Sequence, residues 1–231
     1  MPENLENTLP FKIQESQLLS DSGEELEVQQ MIVKDNTDVD RNLVLKESRS
    51  VELANNIEMQ KLKSFYEFMK NDPDFGKFVI DTHFVKAQSN STEPARAYLV
   101  QKFIPGKRID EMTDEEIYND RALAAELLEF VKASISMLEK TKSTPEQTPD
   151  FYADKKSFLG NALHNPRYSG NILIADSQLK KAQRVYFVDT GTLFGPGHDK
   201  SFLKTLLRPI DGIIQLAQMK RWADKLEQYL K

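Results

Sequence analysis

ALHNPRYSGNILIADSQLKKAQRVYFVDTG, residues 162–191, contains two strand-like runs joined by a polar, lysine-bearing connection. NILIAD (171–176) and RVYFVD (184–189) are short and rich in β-branched and aromatic side chains, which fit a pleated, half-buried surface. They read as a β-hairpin whose loop lies between Asp176 and Arg184. Pairing Asp176 with Arg184 sets Asn171, at the start of the first strand, opposite Asp189, at the end of the second. A side-chain carbonyl and a carboxylate then meet at one edge, a pair of hard oxygen ligands suited to a magnesium ion carrying phosphates. Asn and Asp at strand ends also commonly bond only to nearby backbone groups, so the rest of the chain has to discriminate.

Outward from the hairpin, the N-terminal half is strand-rich. FKIQESQLL (11–19), LEVQQMIVK (26–34) and RNLVLKE (41–47) read as three consecutive strands of an antiparallel meander. A helix over 51–69 comes next, with Val51, Ala54, Leu62, Phe65 and Met69 on one stripe and Glu58 in its middle. A buried carboxylate needs a cation partner; Lys46 on the third strand is one within reach, and a rotated helix with Glu58 at its rim is the alternative. NDPDFG (71–76) breaks the pattern, and 77–88 and 95–104 read as two further strands. Pro105-Gly106 then ends the strand region and marks a lobe boundary.

Beyond it the sequence becomes helical. Thr113 with Glu116 forms a capping box, and 120–140 is an amphipathic helix with Leu123, Leu127, Val131, Ile135 and Leu138 on its face. After the hairpin, Gly212, Leu216, Met219, Trp222, Leu226 and Leu230 mark one face of a last helix.

Composition excludes several chemistries. Cysteine is absent and only three histidines occur in the 231 residues, which rules out disulfides, a cysteine nucleophile and a Cys/His zinc site. The net charge of −5 disfavours nonspecific nucleic-acid binding, although 177–231 holds ten Lys and Arg against five Asp and Glu. No apolar run is long enough to span a bilayer and no signal-peptide pattern opens the chain, so no membrane partner and a cytoplasmic location are expected.

The order of elements resembles the protein-kinase-like superfamily, closest to its aminoglycoside phosphotransferase and choline kinase branch. The hinge LxxEYIPG of that branch is similar to LVQKFIPG (99–106). Its catalytic loop HGDxxxxN followed by ILI, and its metal-binding DxG, are similar to HNPRYSGNILI from His164 and VDTG from Val188. The resemblance implies an α+β, bilobal fold. Residues 1–104 would form a small antiparallel five-stranded N-lobe with one helix, which clamps nucleotide, and 105–231 a mainly helical C-lobe carrying the β-hairpin. It further implies ATP and Mg2+ in the interlobe cleft, with Asn171 and Asp189 on the metal, Lys46 on the phosphates and Glu58 orienting Lys46. Backbone groups of Lys102 and Ile104 would meet adenine.

Two departures bear on activity. The branch's catalytic aspartate falls at Pro166, which has no side-chain acceptor; His164, and more weakly Asp154, are the substitutes at hand. The glycine-rich lid shrinks to Ser20-Asp21-Ser22-Gly23, where the amides of Ser22 and Gly23 can touch phosphate while Asp21, Glu24 and Glu25 repel it. The expected function is a phosphotransferase to a small-molecule hydroxyl with weakened or absent turnover. The alternative is a catalytically silent, pseudokinase-type module that binds or regulates a protein partner.

Overall fold

Runs of β-branched and aromatic residues separated by polar stretches of sequence build the first sheet, and helices make up most of the described residues beyond 105. The computed structural model describes residues 11–20, 26–35, 40–48, 56–87, 96–141, 148–149, 151, 170–176, 183–189 and 202–231. The chain is α+β and divides into two compact units, Met1–Ser64 with Ile80–Ile104, and Phe65–Val79 with Pro105–Lys231.

In the first unit, β1 (Phe11–Ser20), β2 (Leu26–Asp35), β3 (Asp40–Ser48), β4 (Thr82–Ala87) and β5 (Arg96–Lys102) form an antiparallel sheet. Its order is β1-β2-β3-β5-β4. Register shifts between Ile13 and Glu15 and between Leu18 and Ser20 interrupt the edge strand β1, an irregularity that discourages pairing with further strands. Tyr98, Leu99, Val100 and Ile104 are buried. Buried Gln101 donates through Nε2 to Thr82 Oγ1 at 2.9 Å, so the cross-strand pair Thr82–Gln101 satisfies polar atoms inside the sheet.

Helix α1 (Asn56–Lys70) places Phe65, Tyr66 and Met69 in the core of the second unit. The strand expected over 77–88 begins only at Thr82, because 71–78 is a chain of tight turns. Asp72 Oδ1 accepts from the amides of Asp74 and Phe75, and Asp72 O accepts from Gly76 N. A Cβ at Gly76 would lie 2.1 Å from Lys70 O, so the turn closes only with glycine there.

These turns send Phe75 and Phe78 into an aromatic core with Phe130, Phe151 and Phe187. Neighbouring ring centroids lie 5.2–6.3 Å apart, in tilted and edge-to-face arrangements. Phe130 comes from α3 (Arg121–Thr141), which is preceded by β6 (Gly106–Arg108), a 3-10 turn (Ile109–Glu111) and the short α2 (Asp114–Tyr118). The Thr113 capping box forms as the sequence predicts, with Glu116 N donating to Thr113 Oγ1 at 3.1 Å and Thr113 N to Glu116 Oε2 at 2.7 Å. Helix α3 packs antiparallel against α4 (Phe202–Leu230), burying Leu123, Leu127, Val131 and Leu138 with Met219, Trp222 and Leu226. The ion pairs Lys132–Glu227 at 2.7 Å and Lys220–Glu139 at 2.8 Å flank that seam on its exposed sides. Among the described residues no helix is long and apolar enough to cross a membrane.

Candidate metal centre

The hairpin forms as β7 (Ile172–Ala175) and β8 (Val185–Phe187), with β6 added beyond β7 to make a second antiparallel sheet. Strand β6 is absent from the sequence expectations, its three residues being too few for any alternation to show. It pairs Gly106 with Ala175, and a Cβ at Gly106 would lie 2.1 Å from Ile174 O, so the glycine of Pro105-Gly106 permits a strand to pass close over β7.

The ladder runs one residue away from the register expected from sequence. Ile172 pairs with Phe187, Leu173 with Tyr186 and Ile174 with Val185. Ala175 N donates to Arg184 O at 2.8 Å and Val188 N to Asn171 O at 2.9 Å, so Arg184 faces Ala175 and Asn171 faces Val188. Burial explains the choice. This register sets the buried residues Ile172 and Ile174 beside the buried residues Val185 and Phe187, whereas the expected one would set them beside half-buried Val188 and Tyr186.

Asn171 and Asp189 meet nevertheless, because both lie just past the last strand pair, where the backbone leaves the ladder. Asn171 Nδ2 donates to Asp189 Oδ2 at 3.2 Å, and both residues are half-buried. That spacing suits a shared cation: adjacent ligand atoms on an octahedron with metal–oxygen distances of about 2.1 Å lie about 3.0 Å apart. A half-turn of the Asn171 amide would exchange Nδ2 for Oδ1 and present two oxygens at nearly that separation. Among the described residues no group of three or more His, Asp or Glu side chains is disposed to hold a metal, so phosphate oxygens and water would have to complete the coordination.

β8, which leads to Asp189, is held at both its start and its end. Glu126 Oε1, on α3, accepts from Arg184 N at 2.8 Å and Val185 N at 2.9 Å. Arg184 Nη1 reaches Asp120 Oδ2 at 2.5 Å. Asp120 also caps α3, its Oδ1 accepting from Leu123 N at 3.0 Å. On the far edge Phe187 N donates to Phe78 O at 2.7 Å. The Arg184 guanidinium, aided by the helix amides, holds the Asp120 carboxyl below the usual carboxylate range. Burial, with the Glu126 charge beside it, pushes the Tyr186 phenol up. Glu126 carries no signature in the sequence, because one glutamate on the polar side of an amphipathic helix reads as solvated surface.

Among the residues expected to bind nucleotide, Lys46 lies on β3, an interior strand, between Val28 of β2 and the buried Leu99 of β5, and is half-buried. Lys102 closes β5 and is exposed, while Ile104 is buried two residues on. Glu58 sits on α1, but its side chain lies outside the described residues, as do Ser22, Gly23, His164, Pro166 and Asp154. No protein-family model matches the chain, and no curated protein matches it significantly.

Proposed function

We propose that the chain is a kinase-like protein, bilobal with a five-stranded N-lobe, that binds ATP and Mg2+ through Asn171 and Asp189. The observation that carries this reading is the side-chain contact between those two residues at the mouth of the hairpin, at a spacing that fits two ligands of one cation. Bound there, Mg2+ would neutralise phosphate charge. Lys46 is assigned to the phosphates: an ammonium on an interior strand beside buried Leu99 is less screened by water than a surface lysine. Glu58 is assigned to orient Lys46, the Ser22 and Gly23 amides to touch phosphate, and the Lys102 and Ile104 backbone to hold adenine. A cytoplasmic location, where ATP and Mg2+ are abundant, goes with this reading.

Proline at 166 limits the chemistry, since losing a general base costs ~10²–10⁴-fold in rate. His164 is assigned as the replacement proton acceptor for a small-molecule hydroxyl. Pro166 also favours a second reading, in which the chain binds nucleotide without turnover and acts on a protein partner. Release of phosphate from labelled ATP tests both: slow turnover by the wild type that His164→Ala abolishes supports the phosphotransferase, and activity in Pro166→Asp alone supports the silent module. Failure of calorimetry to detect ATP binding in the presence of Mg2+ overturns both.

A further inference from the structure

β8 is three residues long, and Asp189 lies two residues beyond its end. In the observed register the amides of Arg184 and Val185 are not taken by β7. Left unmade in a partly buried place, such bonds destabilise the fold and free the strand to shift. Glu126 satisfies both with one carboxylate oxygen. Asp120 fixes the neighbouring Arg184 side chain from the same helix, while Phe78 O takes the Phe187 amide and Asn171 O the Val188 amide. The backbone is thus held at 184, 185, 187 and 188, and Asp189 is the next residue.

We infer that Glu126 is a positioning residue: by gripping the start of β8 it holds the strand in the register that burial selects and so keeps Asp189 in contact with Asn171. Its relevance to metal binding rests on the function proposed above, whereas its effect on the Asn171–Asp189 contact does not. Lys132 serves as the control, because its ion pair joins the same helix to α4, away from the hairpin.

Two readouts on the full chain test the inference. The side-chain amide resonances of Asn171 in a 15N–1H NMR spectrum report the hydrogen bond to Asp189 directly, and Mn2+ titration followed by electron paramagnetic resonance reports metal affinity. Glu126→Ala and the shorter Glu126→Asp should move the Asn171 amide signals toward their positions in Asp189→Ala and weaken Mn2+ binding ~10–100-fold. Glu126→Gln, which keeps an oxygen acceptor for both amides, should restore both, and Lys132→Ala should change neither. If Glu126→Ala does not fold, the Asp and Gln variants decide. Unmoved Asn171 signals in Glu126→Asp, or an equal displacement in Lys132→Ala, overturn the positioning role. Mn2+ binding undiminished in Asp189→Ala overturns the metal assignment instead and leaves the NMR readout to judge Glu126 alone.

Discussion

Asp72 and Asp120 do the same work at opposite ends of α3. Each accepts backbone amides and pairs with a cation, Asp72 with Lys140 at 2.6 Å and Asp120 with Arg184 at 2.5 Å. Burial alone would raise the Asp72 carboxyl, but the Lys140 hydrogen bond and the Phe75 and Asp74 amides outweigh it, leaving the group below its ordinary value. A carboxyl whose folded value lies below its unfolded one stabilises the protein fully above the unfolded value, about pH 4, and progressively less as pH falls toward the folded value. Urea midpoints measured from pH 7 down to about pH 2.5 should therefore decline below about pH 4. The decline should be shallower in Asp120→Asn and in Asp72→Asn, and an unchanged slope would rule out these two pairs as its source. Gly76→Ala tests the turn at the same scale: its Cβ would meet backbone rather than a yielding side chain. It should cost ~3 kcal/mol, the upper end of overpacking penalties, and lower Tm on the order of 10 °C. A variant as stable as the wild type would show that the turn can open without loss.

At the scale of elements, Phe130 links α3 to the turns at 75–78, to Phe151 and, through Phe75, to β8. Phe130→Ala should destabilise by about 3–5 kcal/mol, read from urea midpoints, and a loss below about 1 kcal/mol would mean that the aromatic cluster is not the core of its unit. The element order was legible because its signals are local: alternation for the strands, Thr113-x-x-Glu116 for the α2 cap, a 3–4 spacing of leucines for α3. Register was not, since a pairing read from strand ends alone cannot know which residues face the core. The burial of Ile172, Ile174, Val185 and Phe187 decides it, and that depends on rings contributed by residues 75, 78, 130 and 151. The contact of Asn171 with Asp189 was legible from their positions at the strand ends. The Glu126 grip was not, because it joins residues nearly sixty positions apart through a side chain with no distinguishing pattern.

For the whole molecule, NDPDFG at 71–76 read only as punctuation between a helix and a strand, yet it carries Phe75 into the core of the second unit while the chain on either side of 65–79 belongs to the first. A breaker motif shows that the chain turns and is silent about where its apolar residues go. Metal-assisted nucleotide binding by the hairpin's Asn171–Asp189 pair can be read from thermal unfolding of the full chain with ATP, with and without Mg2+. At a hundred times the dissociation constant a ligand stabilises by about 2.7 kcal/mol, a Tm rise of roughly 5–11 °C for a chain of this size. The wild type should show that rise with ATP and Mg2+ together and a smaller one with ATP alone, while Asp189→Ala should respond equally with and without the metal. A Mg2+-dependent rise that survives in Asp189→Ala, or no rise in the wild type at millimolar ATP, would contradict the account.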